Sequence, residues 1–154
     1  KAHIVDALND IGKALGDIGV VGVLHQHTGT CVETRDETYA VVEAMDTRVV
    51  KFGPDVGQLQ KGGSDPVKVV KDFLPVIRHV HLKDFDGGNA YLGYCPLGQG
   101  KVDVKAVVEA LESSGNELMI MAELDPSQGM PIAPLEAARV NKACLQKLGY
   151  EFRS

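Results

Sequence analysis

The chain has 154 residues, is 44% hydrophobic and 24% charged, and carries a formal net charge of −5, which is the composition of one ordinary globular domain. It has no apolar run close to the roughly 18 residues that a membrane-spanning helix requires, and its acidic balance lacks the basic cluster typical of nucleic-acid-binding proteins. Its three cysteines are widely spaced and none lies in a Cys-x-x-Cys motif. This spacing excludes a disulfide scaffold, and we expect a protein of a reducing compartment, the cytoplasm.

The predicted elements are one helix followed by four strand–helix units, a pattern typical of a parallel sheet with crossover helices. The first helix has its apolar residues at helical spacing and ends at Gly16. Thr34 with Glu37 has the form of a capping box, and Asp65 and Asp103 are predicted N-caps of later helices. The strands are predicted at residues 20–24, 49–53, 76–82 and 118–122, and the helices after them at residues 34–45, 66–74, 103–115 and 134–148. We predict a single domain over residues 1–154.

Residues 86–100 form a glycine-rich stretch that is too long and irregular for a simple connection. We therefore consider it a candidate active-site loop. Within it, Gly98-Gln99-Gly100 precedes a predicted helix and presents backbone N–H groups that suit an anion. Since no Lys-Ser/Thr pair follows, we interpret this segment as a turn before a capped helix.

Histidines and carboxylates recur at one position of each unit, the C-terminal end of the strand. They are His25 and His27 after the first strand, Asp55 after the second, His79 and His81 in the third, and Glu123 after the fourth. In parallel α/β folds this edge of the sheet binds ligands and carries catalytic side chains. A mixture of imidazole and carboxylate groups suits Mn²⁺, Co²⁺, Mg²⁺ or Zn²⁺. The pattern predicts a divalent metal site.

A divalent ion held there is a Lewis acid for two neighbouring oxygens of a polyol or ketose, and it acidifies the adjacent C–H bond. The reaction also needs a base and a proton donor, for which Glu123, a neutral histidine and Lys83 are candidates. Each residue also has a purely structural interpretation. A histidine at a strand end is often a hydrogen-bonded core or rim residue, Asp55 is suited to cap a turn, and Lys83 could pair with Asp84 at the surface. The metal site is favoured because the polar groups fall at equivalent points of four successive units.

Five segments of the chain resemble the xylose isomerase-like TIM barrels, in particular the sugar phosphate isomerases/epimerases and the inosose dehydratases. They are residues 25–30 (His-Gln-His-Thr-Gly-Thr), 54–58 (Pro-Asp-Val-Gly-Gln), 78–84 (Arg-His-Val-His-Leu-Lys-Asp), 96–103 (Pro-Leu-Gly-Gln-Gly-Lys-Val-Asp) and 121–125 (Met-Ala-Glu-Leu-Asp). The resemblance implies that one residue from each of four successive strands holds a divalent metal at the barrel mouth, namely His25, Asp55, His81 and Glu123. We assign catalytic roles to Glu123, His27 and Lys83, and substrate binding to Gln58, His79 and Lys83.

Three positions depart from the family pattern: His25, Gln58 and Lys51. Lys51 shares a strand face with Asp55 and would place a charge in the barrel interior, which is costly unless the charge is paired. His25 stands where many relatives have Glu, and the loss of a carboxylate shifts the expected metal toward Mn²⁺, Co²⁺ or Zn²⁺ and away from Mg²⁺. Gln58 stands where the family often has His. Its amide can hydrogen-bond a substrate hydroxyl, but it cannot transfer a proton.

A TIM barrel has about 250 residues and eight strands, so the resemblance implies an α/β fold that is only the C-terminal half of a (β/α)8 barrel, with four parallel βα units preceded by a helix. Four strands alone leave edges unpaired and one sheet face uncovered. We therefore expect either a homodimer or pairing with a missing N-terminal half-barrel. The absent Met at Lys1 leads us to expect a chain cut within a barrel.

The resemblance implies a metal-dependent lyase for a small-molecule keto-polyol or keto-sugar, which abstracts an α-proton and expels water in the manner of inosose dehydratases. One alternative is a sugar (phosphate) isomerase or ketose 3-epimerase that uses the same metal site and returns the proton to carbon. Another is a catalytically incomplete half-barrel. No nucleic-acid or membrane partner is expected.

Overall fold

Strands and helices alternate along the computed structural model, which describes residues 2–125 and 131–152. The strands are β1 (Gly22–Leu24), β2 (Val50–Phe52), β3 (His79–Leu82), β4 (Asp84–Phe85), β5 (Tyr94–Cys95) and β6 (Met119–Ala122). The α-helices are α1 (Ala2–Asp17), α2 (Arg35–Val42), α3 (Val56–Lys61), α4 (Pro66–Phe73), α5 (Val104–Glu112) and α6 (Pro134–Lys147). Within these described ranges, none of the helices combines the length and the apolar character that crossing a bilayer would require.

Four parallel strands are linked in the order β1, β2, β3, β6. β1 pairs in register with β2, and β3 pairs with β6. Two single bridges, Phe52 with Ile77 and Asp55 with His81, join β2 to β3. The α/β class with parallel strands and intervening helices is confirmed, and the strands do not close into a ring, as half of a (β/α)8 barrel requires.

The hydrophobic core lies between the helices and one face of this sheet. Its fully buried side chains come from the strands, the segment before β3 and three of the helices, and they are Phe52, Val56, Leu59, Val70, Ile77, Val80, Leu82 and Val107. The opposite face is open, since Val21 is 65% and Met119 is 63% exposed. The structure therefore has the uncovered sheet face that the sequence led us to expect.

Capping residues start the helices as predicted. Thr34 and Glu37 form the reciprocal capping box of α2. The Asp65 and Asp103 carboxylates accept backbone N–H groups three residues further on, at 3.1 and 2.9 Å. Each cap satisfies a donor that the first helical turn leaves unpaired.

Several predicted boundaries are wrong. The strand predicted at residues 76–82 begins only at His79, because Leu74–Val76 form a 3₁₀ turn around Pro75, which has no N–H for a strand ladder. The strands predicted at residues 20–24, 49–53 and 118–122 are also shorter than expected. The helix predicted at residues 34–45 ends at Val42 and is followed by a turn.

Two elements near the strand ends were not predicted. The first is α3, which Asp55 caps through a 3.0 Å bond from the Gln58 N–H to its carboxylate. Gly57 is required there because a Cβ at this position would lie 2.9 Å from Cβ of Lys83. The second is the antiparallel pair of β4, which directly precedes the glycine-rich stretch, and β5, which lies within it.

Gln26, a buried residue between two predicted site histidines, extends the pairing of β1 and β2. Its side-chain amide donates to the Asp55 carbonyl at 2.9 Å and accepts from the Asp55 N–H at 3.3 Å. The Gln26 side chain thus makes the two hydrogen bonds that the backbone of one more paired strand residue would make. The two loops that leave these strands are held together at this point.

Candidate metal centre

Three predicted ligands from three neighbouring strands lie together at the C-terminal edge of the sheet. His25 follows β1, Asp55 follows β2 and His81 belongs to β3, and each offers one ligand atom within 4.8 Å of the others. The His81 N–H donates to the Pro54 carbonyl at 2.9 Å, which fixes the offset of β3 against the chain that carries Asp55. The parallel register therefore brings the imidazole and carboxylate groups to one point.

The environment of His25 suits a metal ligand. Its Nδ1 lies 3.2 Å from the Gly53 carbonyl, which can only accept, so Nδ1 carries the proton and Nε2 has a free lone pair. Burial lowers the pKa of His25, and the Asp55 carboxylate offsets this only in part. The neutral imidazole is thereby favoured, and that is the form that binds metals.

Glu123 adjoins this group from the end of β6. One carboxylate oxygen, Oε2, is in contact with Nδ1 of His81, and the other lies 3.2 Å from Nζ of Lys83. Within the described part of the chain, three buried atoms of the predicted ligands lack a hydrogen bond of normal geometry. They are Oδ2 of Asp55, which has the Lys83 ammonium 3.0 Å away, and Nδ1 of His81 and Oε2 of Glu123, which face each other. Buried polar atoms without well-formed hydrogen bonds are costly. A divalent cation would satisfy all three, so the donor set fits a metal.

Lys83 lies beneath the three ligands and is almost fully buried. Its ammonium is 3.0 Å from Asp55, 3.2 Å from Glu123 and 2.8 Å from Asp125. Burial alone would lower the pKa of Lys83, but the Asp55 and Asp125 carboxylates outweigh it and the pKa is raised. The ammonium therefore stays charged. Three carboxylates with one ammonium leave a formal charge of −2, which matches a divalent ion.

The structure corrects the interpretation of Lys83 with Asp84 as a surface ion pair, because both side chains are buried and they serve different partners. Asp84 accepts the N–H groups of Gly98, Gly100 and Val102 at 2.9, 2.8 and 3.0 Å. The glycine segment that suits an anion is therefore folded around a carboxylate of the chain itself. It forms the turn before α5 that the sequence indicated.

Gln58 and His27 form a hydrogen-bonded pair at the rim. Oε1 of Gln58 accepts the N–H of Thr28 at 3.1 Å, so its Nε2 is the donor that faces Nε2 of His27 at 2.8 Å. Nδ1 of His27 lies 2.7 Å from the Thr28 carbonyl and carries the proton. Both nitrogens of His27 and the whole Gln58 amide are thus engaged within the protein.

His79 lies on the open sheet face, below the predicted ligands. Its ring is 4.8 Å from that of His81, and it lines a cavity of about 440 Å³ together with His25, Val21 and Met119. Burial and the neighbouring His81 lower the pKa of His79. The substrate-binding role assigned to this residue stays a prediction.

Another cavity, of about 370 Å³, has His27, Gln58, Lys61, Leu92, Tyr94 and Asp125 in its lining. Its Asp125 shares the Lys83 ammonium with the predicted ligand Asp55. Tyr91 and Leu92 have φ angles of 48° and 60°. This left-handed conformation costs about 1–2 kcal/mol for each residue other than glycine.

Sequence reasoning missed Asp125 as a site residue. Asp125 follows Glu123 by two positions, and the alternation of side chains along an extended chain places such a pair on one side. That signal was present in the Glu-Leu-Asp segment. Leu92 and Tyr94 had no comparable signal, because the hairpin that places them is not visible in the hydrophobic pattern.

Comparison with known proteins gives a consistent result. The family model described as "Xylose isomerase-like TIM barrel" matches residues 1–148. The inosose dehydratase of Clostridium botulinum (strain Alaska E43 / Type E3) is 31% identical over an alignment of 146 positions, which covers 84% of this chain and 49% of that protein. The chain thus spans about half the length of the curated relatives it matches.

Solved structures show the same fold at lower identity. The probable 3-DHS dehydratase AsbF of Bacillus anthracis superposes with a TM-score of 0.72 at 18% identity, over 96% of this chain and 56% of that one. The IOLI protein, whose crystal structure has a bound zinc atom, gives a TM-score of 0.74 at 22% identity, over 94% and 54%. A D-tagatose 3-epimerase-like protein gives 0.69 at 19% identity, over 94% and 54%.

Proposed function

Because the chain belongs to the xylose isomerase-like TIM barrel family, we propose that it carries the metal centre of a dehydratase acting on a keto-polyol or keto-sugar. One observation carries the proposal: His25, Asp55 and His81 converge within 4.8 Å. Nδ1 of His81 and Oε2 of Glu123 are buried, face each other and lack a hydrogen bond of normal geometry, which supports a cation at this point. The inosose dehydratases at about 30% identity support dehydration as the reaction.

His25, Asp55, His81 and Glu123 are the residues that would hold the metal. A divalent ion bound there would supply Lewis acidity to a carbonyl and a neighbouring hydroxyl oxygen of the substrate. Two imidazoles in the set favour Zn²⁺, Mn²⁺ or Co²⁺ over Mg²⁺. The zinc atom of the IOLI protein is consistent with that preference.

Glu123 is the base in this proposal. Its carboxylate takes the proton from the carbon beside the carbonyl, and a C=C bond forms as the C–O bond on the next carbon breaks. The Glu123 carboxyl passes that proton to the departing hydroxyl, which leaves as water, and the carboxylate is restored. We prefer Glu123 to His27 because both nitrogens of His27 already have partners in the protein. Lys83 holds the carboxylates in place and is shielded from the cavity. Its predicted proton-transfer role therefore becomes a positioning role.

The second candidate reaction is ketose 3-epimerisation or aldose–ketose isomerisation at the same residues, with the proton returned to carbon. The D-tagatose 3-epimerase-like neighbour supports it. His25 argues for dehydration, since an imidazole replaces a carboxylate that epimerases of this family typically have. The third candidate is a half-barrel that binds metal without turnover.

The open sheet face is the basis for a related proposal about assembly. The exposed Val21 and Met119 would be covered either by a complementary half-barrel or by a second copy of this chain. Residues 1–154 would then act as one domain of that assembly. Light scattering on the purified chain distinguishes a dimer from a monomer.

Metal content tests the site directly. We expect the purified chain to hold close to one equivalent of zinc by mass spectrometry, and the His81→Ala variant to hold less than about a tenth of it. His3→Ala is the matched control, because His3 is an exposed histidine of α1. Equal metal in all three proteins, or none in the wild type, would overturn the proposed site.

Substrate tests separate the reactions, and they use the full-length natural protein. With scyllo-inosose, dehydration yields a dione that absorbs in the ultraviolet. With a ketohexose in deuterated water, epimerisation incorporates deuterium at C3 without loss of water. Metal binding without either reaction would identify the third candidate.

A further inference from the structure

A short turn beside the predicted metal centre holds a leucine in an unusual position. Leu92 has a φ of 60° and is 68% exposed, although it is a large apolar residue. It follows Tyr91, which also has a positive φ. Strained residues persist only when the surrounding structure determines their conformation, and they concentrate at functional sites.

The structure fixes this turn from both sides. The ammonium of Lys61, at the end of α3, donates to the Leu92 carbonyl at 2.9 Å and lies 4.8 Å from the centre of the Tyr94 ring. The hydroxyl of the buried Tyr91 is 3.2 Å from the Ile132 carbonyl. A substituent on Gly93 would approach the Phe85 ring to 2.6 Å, so the chain can pass there only as glycine. The contacts of the neighbouring residues therefore hold Leu92 in the lining of the cavity.

The cavity that Leu92 borders has a mixed lining. His27, Glu33, Gln58, Lys61 and Asp125 contribute polar or charged groups, whereas Leu92 and Tyr94 contribute an apolar side chain and an aromatic ring. Asp125 shares Lys83 with Asp55, which connects this cavity to the predicted metal ligands. A ring-shaped polyol ketone has matching surfaces, with hydroxyl groups around its edge and C–H bonds on its faces.

Resting on the proposed function, we propose that Leu92 is a specificity-determining residue that packs against the C–H face of a cyclic keto-polyol. Lys61 is a positioning residue that holds Leu92 there through its carbonyl. An acyclic keto-polyol lacks a continuous C–H face and gains little from the contact. The structure thus selects ring-shaped substrates at this cavity.

The test compares ligands of the two shapes on the full-length natural protein. In Leu92→Ala, we expect the KM for scyllo-inosose to rise about tenfold, the effect of losing much of one buried leucine contact. We expect kcat and the inhibition constant of the acyclic L-erythrulose to stay within about twofold. Lys61→Met should raise the KM for scyllo-inosose in the same direction but less, because it removes the anchor of Leu92 and one charged group of the cavity lining while Leu92 itself remains.

Leu135→Ala is the matched control, since Leu135 is an exposed leucine of α6 and should leave both constants unchanged. An unchanged KM in Leu92→Ala would overturn the inference, as would an equal loss for the cyclic and acyclic ligands. A lower melting temperature or a changed oligomeric mass with an unchanged KM would also overturn it, by making Leu92 an interface residue. If the wild type does not act on the cyclic ketone, the proposed function fails and not the assignment of Leu92 alone.

Discussion

At the scale of single residues, the neighbouring Lys83 and Asp84 are both buried and charged, but their charges are neutralised in different ways. The ammonium of Lys83 pairs with three side-chain carboxylates, two of which belong to the predicted metal ligands Asp55 and Glu123. The carboxylate of Asp84, the next residue, is neutralised by backbone N–H groups and has no cation among its recorded partners in the described chain. Successive residues of an extended chain point in opposite directions, so one serves the site and the other the loop outside it.

This arrangement makes Asp84→Asn a specific prediction. The substitution replaces one carboxylate oxygen by an amide N–H₂ group. The backbone N–H groups that donated to that oxygen then face another donor and lose their hydrogen bonds. Since hydrogen bonds to a charged acceptor are worth about 1.5–3 kcal/mol each, we expect the free energy of unfolding to fall by about 3 kcal/mol in urea titrations.

Asp103→Asn serves as the control for this change. Asp103 is an N-cap, a position where Asn is as good as Asp. Its free energy of unfolding should stay within about 0.5 kcal/mol of the wild type. Equal losses in the two variants would mean that the backbone contacts of Asp84 are not the cause.

At the scale of elements, the short helix α3 connects the site to the core. It begins at Asp55, and its first turn contains Gly57, which packs directly against Lys83. α3 therefore sets the distance between a predicted ligand and the buried ammonium. A small movement of this helix would separate the two charges.

Gly57→Ala tests this close contact. A Cβ at residue 57 would lie 2.9 Å from Cβ and Cγ of Lys83 and 3.0 Å from its carbonyl oxygen, so the backbone must shift. We expect a loss of about 1–3 kcal/mol in the free energy of unfolding, together with weaker zinc binding by calorimetry.

The chain provides a matched glycine for comparison. Gly16 lies in α1, and a Cβ there meets no atom within 4 Å. Gly16→Ala should stabilise the protein by up to about 1 kcal/mol through helix propensity alone. Stabilisation by both substitutions would contradict the tight packing at Gly57.

The elements also show what a sequence can and cannot predict. Thr34, Asp65 and Asp103 identify their helices because a cap is a local hydrogen bond between residues close in the chain. α3 was missed because it has only six residues and contains a glycine, so neither periodicity nor propensity indicates a helix. The convergence of His25, Asp55 and His81 was predictable from strand ends, whereas the role of Asp84 depends on contacts 14 to 18 residues away.

At the scale of the whole molecule, one face of the sheet is packed and the other is open. The predicted ligands lie at the edge where both faces meet solvent, and they come from all four parallel strands. A cation shared by these strands would add a cross-link that the hydrogen-bonded ladder lacks. Metal binding and the stability of the sheet should therefore be coupled.

Zinc should raise the melting temperature of the chain. A ligand that binds only the folded state at 100 times its dissociation constant adds about 2.7 kcal/mol of stability, and we expect a shift of several degrees by calorimetry. A chelator should reverse it. Asp55→Asn, which keeps a capping side chain but loses the charge, should remove the shift, and an undiminished shift would place the metal elsewhere.

The hydrogen bonds of Gln26 affect the affinity and the ion selectivity of the predicted metal centre. Because its side-chain amide ties the loop after β1 to the Asp55 backbone, the first two predicted ligands keep their separation when no ion is bound. The conformational entropy of bringing them together is then lost during folding and not during coordination. Such a preorganised centre would discriminate between ions by radius, since it cannot relax around a larger one.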